Sequence, residues 1–421
     1  MVSRIFTSVI ACLIIFSSYQ YTHSQDTVRV MAYNILRYGA NGVGGCTPIG
    51  VTARNQWFTD VLSETKPDIF GVNEIAPTDG AFSPAANISL NVLPNVPDKG
   101  PHYEATQINF DGNQDICNMM YYNSQKVGLS TQAFINVSGT ARNLDYYKFY
   151  YKSAEPIMDS AFIHVILVHF MASSAAAREN QATAAMNFLD NSLGGAQDNY
   201  IIMGDMNLSS GATTAYQIMA NHSNVDVRMR DPLNLTSWNQ NYVYTQSTTP
   251  STGDCRAGGG LNDRFDIILC SNALINNSLG MSYVSGSYWS VGNPHSPNPQ
   301  LSTAGQIGIN GMSDHHPVLM DIAVSQAVAN DGRLDSPVSL KVVSPFGEEL
   351  SAQVTIPAGW ESEYVVKITD LQGRVQYEQK DYLGTGVHQL APDVSGLSNG
   401  IYFLSLESES LPVIAKIVRM K

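Results

Sequence analysis

From Val28 onward, continuous apolar runs alternate with stretches whose apolar residues recur three or four positions apart. The first pattern reads as a strand buried on both faces and the second as a helix with one buried face. On that basis Val28 to Leu36 is a strand, and Trp57, Phe58, Val61 and Leu62 form one face of a helix that Lys66-Pro67 stops. Ile69 to Ile75 is the next strand. Phe162 to Phe170 is a strongly apolar strand, Ala182, Ala185, Met186 and Leu189 share a helical face, and Tyr200 to Met203 enters another strand. Arg264 to Cys270 and His316 to Val324 add two more, while the Gly, Ser, Asn and Pro rich stretches at 244–262 and 284–312 read as loops. Strand, helix, strand in repetition places the chain in the α/β class.

Around Gln326 to Pro337 the composition shifts to small and polar residues, and beyond it come short alternating strands such as Tyr364 to Ile368 and Ile401 to Leu406. The predicted organisation is a leader at 1–24, a catalytic domain at 25–325, a linker at 326–337 and a small all-β domain at 338–421. The leader follows from Arg4, the apolar stretch Ile5 to Phe16 and the small-x-small end Thr22-His23-Ser24, the pattern of a cleavable signal peptide. No later run approaches the roughly 18 to 20 apolar residues of a membrane span, so a soluble, exported chain without stable membrane insertion, and a monomer, is expected.

Charged residues make up 14% and hydrophobic ones 44%, which suits a packed domain with a largely neutral surface and excludes a disordered chain. Removing the leader takes away Arg4 and no acid, moving the formal net charge from -13 to -14. A polyanion partner would therefore have to be held by the site and by local charges, because no global basic footprint attracts it. Cys46, Cys117, Cys255 and Cys270 remain after cleavage, an even number in an oxidising compartment, so one or two disulfides are expected, with Cys270 also readable as a buried thiol.

Several apolar strands end in polar residues able to serve one site: Asn34, Glu74, His169, Asp205 with Asn207, Asp266, and Asp314 with His315. A lone strand-end Asp or Asn is more often a turn former, but six in order are hard to explain that way, and active sites of α/β folds gather at strand ends. Glu74, Asp314 and the Asn34 amide oxygen are hard ligands of the kind Mg²⁺ or Mn²⁺ accepts, with Ca²⁺ a further candidate. Asp205 and Asn207 lie two apart in extended chain and share a face, where they could orient phosphate and water, Asn207 as a substrate contact.

The segments Met31-Ala-Tyr-Asn-Ile-Leu, Pro67-Asp-Ile-Phe-Gly-Val-Asn-Glu74, Val168-His169, Gly204-Asp-Met-Asn207, Asp263-Arg-Phe-Asp266 and Ser313-Asp-His-His-Pro317 resemble the ordered motifs of the endonuclease/exonuclease/phosphatase family. The resemblance spans roughly 28–324. It implies a four-layer α/β sandwich, two sheets face to face with helices outside, and metal-dependent phosphodiester hydrolysis. It also implies His315 as general base oriented by Asp266, with Asp205 the second choice of base, and His169 as general acid on the leaving oxygen. His316 fills the variable position of its motif and reads as structural.

Three departures accompany the match. Ala154 stands before Glu155-Pro156, where deoxyribonucleases carry a phosphate-binding arginine. Leu36 occupies the position two after Asn34 where the family has another arginine, and strand alternation puts the following Arg37 on the opposite face. Asp115 is out of register to serve as the carboxylate partner of His169.

The tail, through Val365 to Gly373, Leu397-Ser-Asn-Gly-Ile-Tyr-Phe-Leu404 and the basic end Lys416 to Lys421, resembles the sorting domain of type IX secretion cargo. That implies handling by the type IX secretion machinery and release from the cell or retention at its surface. The leading expectation is an extracellular nuclease acting on DNA or RNA. A sphingomyelinase-like or inositol-phosphate phosphoesterase is the alternative, for which Tyr283, Tyr288 and Trp289 would supply an exposed aromatic loop. A non-catalytic adhesin on the same fold is the remote one.

Overall fold

The computed structural model describes residues 26–40, 49–77, 83–109, 116–152, 162–235, 237–238, 243–248, 253, 255–256, 260–296, 301–324, 338–342, 346–370, 374–408 and 413–419. The leader, the linker, Cys46, Asp115 and the Ala154 to Pro156 segment lie outside the described residues.

The elements in order are β1 (Asp26–Tyr38), α1 (Val51–Thr65), β2 (Ile69–Ile75), α2 (Pro84–Asn91), β3 (Tyr103–Ala105), β4 (Cys117–Asn123), β5 (Val127–Ile135), β6 (Leu144–Tyr151) and β7 (Phe162–His169). They continue with α3 (Ala175–Asn187), β8 (Tyr200–Asp205), α4 (Thr214–Ala220), β9 (Met229–Arg230), β10 (Asp266–Ser271), α5 (Asn272–Asn276), β11 (Met281–Tyr283), β12 (Trp289–Ser290), α6 (Thr303–Met312) and β13 (Val318–Val324). One sheet has the order β11-β13-β1-β2-β4-β3, with β12 also on β13; the other has the order β5-β6-β7-β8-β10-β9.

Strand alternation builds the layers. In β1, Val28, Val30 and Ala32 enter one buried cluster while Met31, Tyr33 and Ile35 enter another. In β7, Ile163, Val165 and Leu167 join the first of these clusters, while Ile166 and Val168 join a third with Ala182, Ala185 and Met186 of α3. The shared cluster is the seam between the sheets, and the other two seat α1, α2 and α6 on one outer face and α3 and α4 on the other. Three apolar seams make four layers, so strands that are apolar on every residue are those buried on both faces.

The 284–312 stretch is not all loop, since it contains β12 and α6. Its glycines are what allow α6 to form where it does: a Cβ at Gly308 would stand 2.7 Å from Trp57 O, and one at Gly311 would stand 2.5 Å from the Trp57 ring. Close helix contact outweighs the roughly 1 kcal/mol helix penalty of each glycine. Cys255 is disulfide-bonded, whereas Cys270 is a buried thiol 3.7 Å from Met320 Sδ.

The C-terminal residues form β14 (Ser339–Val342), β15 (Ala352–Ile356), β16 (Ser362–Asp370), β17 (Val375–Leu383), β18 (Gly386–Leu390), β19 (Gly400–Glu407) and β20 (Val413–Arg419). They make two sheets, β14-β15-β18 and β17-β16-β19-β20, around a separate core that includes Val354, Ile356, Val366, Ile368, Leu404 and Leu406. This is the small all-β sandwich expected from the alternating pattern.

Candidate active site

Parallel pairing of β1 with β2 and of β7 with β8 brings the C-terminal ends of four strands to one side of the sandwich. Antiparallel pairing of β13 with β1 and of β10 with β8 brings the beginnings of those two strands to the same side. Asn34, Glu74, His169, Asp205, Asp266, Asp314 and His315 therefore collect at one mouth, four from the first sheet and three from the second. All but Glu74, which is half-buried, are buried.

The two histidines face opposite environments. His315 Nδ1 lies 2.6 Å from Asp266 Oδ2, and its Nε2 lies 3.9 Å from Asp205 Oδ2. Burial disfavours its charged form, but the Asp266 charge and hydrogen bond override this, with Asp205 and Asp314 adding to them, and hold the imidazole well above its ordinary range. The loop carrying it is fixed by Ser313, whose Oγ donates to Asn34 O at 2.7 Å and accepts from His315 N–H at 3.1 Å. Asp266 is steadied by its own N–H on Ser247 Oγ at 3.0 Å. Just before it, Arg264 is buried in a two-pronged pair with Asp231 at 2.6 and 3.0 Å, close to the rings of Trp238 and Tyr288.

His169 Nε2 lies 2.7 Å from Arg142 Nη1, with Asp205 Oδ2 at 3.5 Å and Glu74 Oε1 at 3.8 Å. A guanidinium can only donate, so Nε2 accepts and the ring proton sits on Nδ1, which has no hydrogen-bond partner among the described residues. Burial, reinforced by Arg142, His315 and Arg37, holds this imidazole well below its ordinary range. In this geometry the site-facing Nε2 is an acceptor from Arg142.

Asn34 is held by three hydrogen bonds. Its Oδ1 accepts from Leu36 N–H at 2.9 Å, and its Nδ2 donates to Glu74 Oε1 at 3.2 Å and Asp205 Oδ2 at 3.0 Å. It ties two carboxylates together. Asp205 Oδ1 accepts from Asn207 N–H at 3.0 Å, and Asn207 Nδ2 donates to Phe170 O at 3.0 Å, so this amide braces the β7 and β8 ends. Asp314 is buried next to His315, its Oδ1 3.4 Å from Ser313 Oγ. His316 packs as a structural residue, its Nδ1 2.7 Å from Val291 O, and burial pulls it down to about 4.

Arg37 is brought into the site by a feature that alternation does not anticipate. The β1–β2 register shifts between Asn34 and Tyr38, where Leu36 and Arg37 take φ of 43° and 47°, so the face count is broken. Arg37 N–H donates to Glu74 Oε2 at 3.1 Å, and its charge is among those that depress His169. Glu74 and Asn207 have positive φ as well, 63° and 48°, a cluster of costly backbone conformations at one mouth. Arg54 of α1 supports the irregular turn from below, donating to Ile35 O, to Leu36 O at 3.0 Å and to Met312 O at 3.0 Å. Sequence reasoning missed Arg54 and Arg142, which lie in no motif; an arginine on the inner face of a helix was the only signal for the former.

The residues fit a divalent cation. Glu74 Oε1 and Asp205 Oδ2 converge on the same Asn34 Nδ2 and the same His169 Nε2. Burial pushes the Asp205 carboxyl above its usual range, partly offset by His315 and reinforced by Asp266 and Glu74. Two converging anionic oxygens are what a hard cation relieves. Asp205, Asp266 and His315 also present ligand atoms within 4.8 Å of one another, but His315 Nδ1 already faces Asp266, which makes the all-oxygen pair the better match.

The model of the Endonuclease/Exonuclease/phosphatase family matches residues 31–315, and that of the secretion system C-terminal sorting domain matches 350–420. The latter places the protein outside the cell or at its surface, by way of the type IX machinery. Among the described residues no helix is long and apolar enough to cross a membrane. No curated protein matches the chain. Similar solved structures include the human Nocturnin catalytic domain with bound sulfate, at 15% identity over 72% of this chain and 97% of that one, TM-score 0.46. Another is D. rerio TDP2 complexed with single strand DNA product, at 14% identity over 71% and 100%, TM-score 0.48. A third is a mannosyl-6-phosphatase of Bacteroides thetaiotaomicron, at 14% identity over 70% and 99%, TM-score 0.46.

Proposed function

Because the chain belongs to the endonuclease/exonuclease/phosphatase family, a family of phosphoester hydrolases, we propose that it is an extracellular, divalent-metal-dependent phosphodiesterase whose substrate is DNA or RNA. The observation that carries this reading is the buried His315–Asp266 pair at 2.6 Å, joined across the two sheets, with Asp205 Oδ2 3.9 Å from His315 Nε2. His315 Nε2 takes a proton from the attacking water, the water oxygen bonds to phosphorus, and the bond to the leaving sugar oxygen breaks. Asp266 holds the proton of the neutral ring on Nδ1 and stabilises the imidazolium that forms. Glu74 and Asp205 would hold Mg²⁺ or Mn²⁺, which supplies charge neutralisation at the phosphate.

Arg142 and Arg37 serve as the cationic contacts to the phosphate in place of the arginine replaced by Ala154. His169 orients Arg142 through Nε2, and the leaving oxygen takes its proton from solvent. Local arginines at the mouth reconcile an anionic substrate with an acidic surface. The lipid alternative loses its docking element: Tyr288 is buried, and Tyr283 and Trp289 pack against the core. The chain boundaries at 25–325, 326–337 and 338–421 are part of the same proposal.

The test is hydrolysis of DNA, RNA, sphingomyelin and bis-p-nitrophenyl phosphate by the mature protein. Chelation should abolish it and Mn²⁺ restore it, and Glu74→Gln should raise the Mn²⁺ concentration for half-activity by about 10-fold or more. Full activity in chelator, or cleavage of sphingomyelin alone, would overturn the assignment.

A further inference from the structure

The site is divided between two sheets whose shared seam is apolar, and apolar contact is non-directional, so it does not by itself fix how far apart the two halves of the mouth stand. Buried amides do: Asn34 Nδ2 donates across the gap to Asp205 Oδ2 at 3.0 Å, and a second amide holds the backbone of the facing strands. Asn73 of β2, fully buried and next to Glu74, reaches across to the other sheet. Its Oδ1 accepts from Asp205 N–H at 3.0 Å, and its Nδ2 donates to Val168 O at 3.0 Å, the residue before His169. A single side chain thus holds the last rungs of both β7 and β8.

Two further features support it. Gly204 leaves room: with φ of 134°, a Cβ there would stand 3.0 Å from Asn73 Oδ1 and 2.0 Å from Val168 O. The second N–H of Asn73 donates to Asn118 Oδ1 at 2.7 Å, and Asn118 Nδ2 donates to Asp145 Oδ2 at 2.8 Å, a second link between the sheets farther from the mouth. The amide is therefore oriented by three bonds at once and has one rotamer and one flip that satisfy them.

We propose that Asn73 is a positioning residue that sets the separation between Glu74 on one sheet and Asp205 and His169 on the other. It touches neither substrate nor cation. The tie matters catalytically only if the site hydrolyses phosphoesters as proposed above, so hydrolysis of bis-p-nitrophenyl phosphate by the unaltered mature protein comes first. Failure there would count against the function and not against the tie.

Asn73→Ser keeps a hydroxyl but cannot span Val168 O and Asp205 N–H together, and Asn73→Ala removes both bonds. Each should lower kcat by about 10², the loss that a misplacement of about 1 Å produces, with KM little changed. Each should also weaken Mn²⁺ binding measured by calorimetry and speed amide exchange at Asp205. Asp145→Ala, which cuts the link farther from the mouth and leaves the three Asn73 bonds in place, should lower the unfolding temperature at about pH 5 while leaving kcat and Mn²⁺ affinity near those of the parent. The proposal is overturned if folded Asn73→Ser keeps the parent kcat and Mn²⁺ affinity, or if Asp145→Ala reproduces both losses in full. Should Asn73→Ala fail to fold, Asn73→Ser decides alone.

Discussion

Replacing Asp266 by Asn tests whether His315 is the base and what its partner does. The perturbation removes one charge and almost no volume from a pair whose Nδ1 and Oδ2 are 2.6 Å apart and whose carboxylate is fully buried. With charge centres about 4 Å apart and an effective dielectric constant of about 20, the imidazolium–carboxylate attraction is worth roughly 4 kcal/mol. That attraction exists only once the base has taken its proton, so its loss falls on the transition state and should reduce kcat by about 10³. The pH profile gives an independent sign. His315 works deprotonated, and Asp266 holds it above its ordinary 6.5, so wild-type activity should fall as pH drops through a value above 6.5. In Asp266→Asn that limb should move to lower pH while the plateau falls. The assay is initial rate against pH on bis-p-nitrophenyl phosphate at saturating Mn²⁺. An unchanged plateau would refute the base assignment. A lower plateau that higher Mn²⁺ restores would instead make Asp266 a metal ligand.

Two further outcomes are expected. If His169 carries no proton on Nε2, His169→Ala should lose activity by a similar factor on DNA and on a nitrophenyl diester, whereas a loss confined to the poorer leaving group would restore its acid role. Asp145, fully buried, is pushed up to about 7 by burial, so the carboxyl favours folding at low pH and that contribution is lost as pH rises through about 7. Asp145→Asn should therefore stabilise the catalytic domain at pH 8 by at most about 4 kcal/mol and have little effect below pH 4; a lower unfolding temperature than wild type at pH 8 would contradict this.

Periodicity alone made the α/β class, the order of the main strands and the all-β tail legible, because a strand buried on both faces must be apolar at successive residues and a half-buried one must alternate. The strand-end polar residues were legible for a related reason: only where the apolar pattern stops can a carboxylate face a shared mouth. Asn34, Glu74, His169, Asp205, Asp266, Asp314 and His315 do meet there. Pattern could not say which atom of each faces which neighbour. Whether Asn34 presents oxygen or nitrogen depends on where Leu36 N–H points, and whether His169 carries a proton on Nε2 depends on Arg142, 27 residues away in sequence.

Arg37 shows the limit most clearly. Alternation puts it on the wrong face, and the irregular turn held by Arg54 puts it at Glu74. The helix at 303–312 is a second case, where glycines that weaken a helix locally are needed for its close contact with α1. Sequence by itself determined which strands are buried and which strand ends are polar, since both follow from the apolar pattern along one chain. Tertiary structure alone decided hydrogen-bond partners, tautomers and the separation of the two sheets, because those depend on distances between segments that no local pattern encodes.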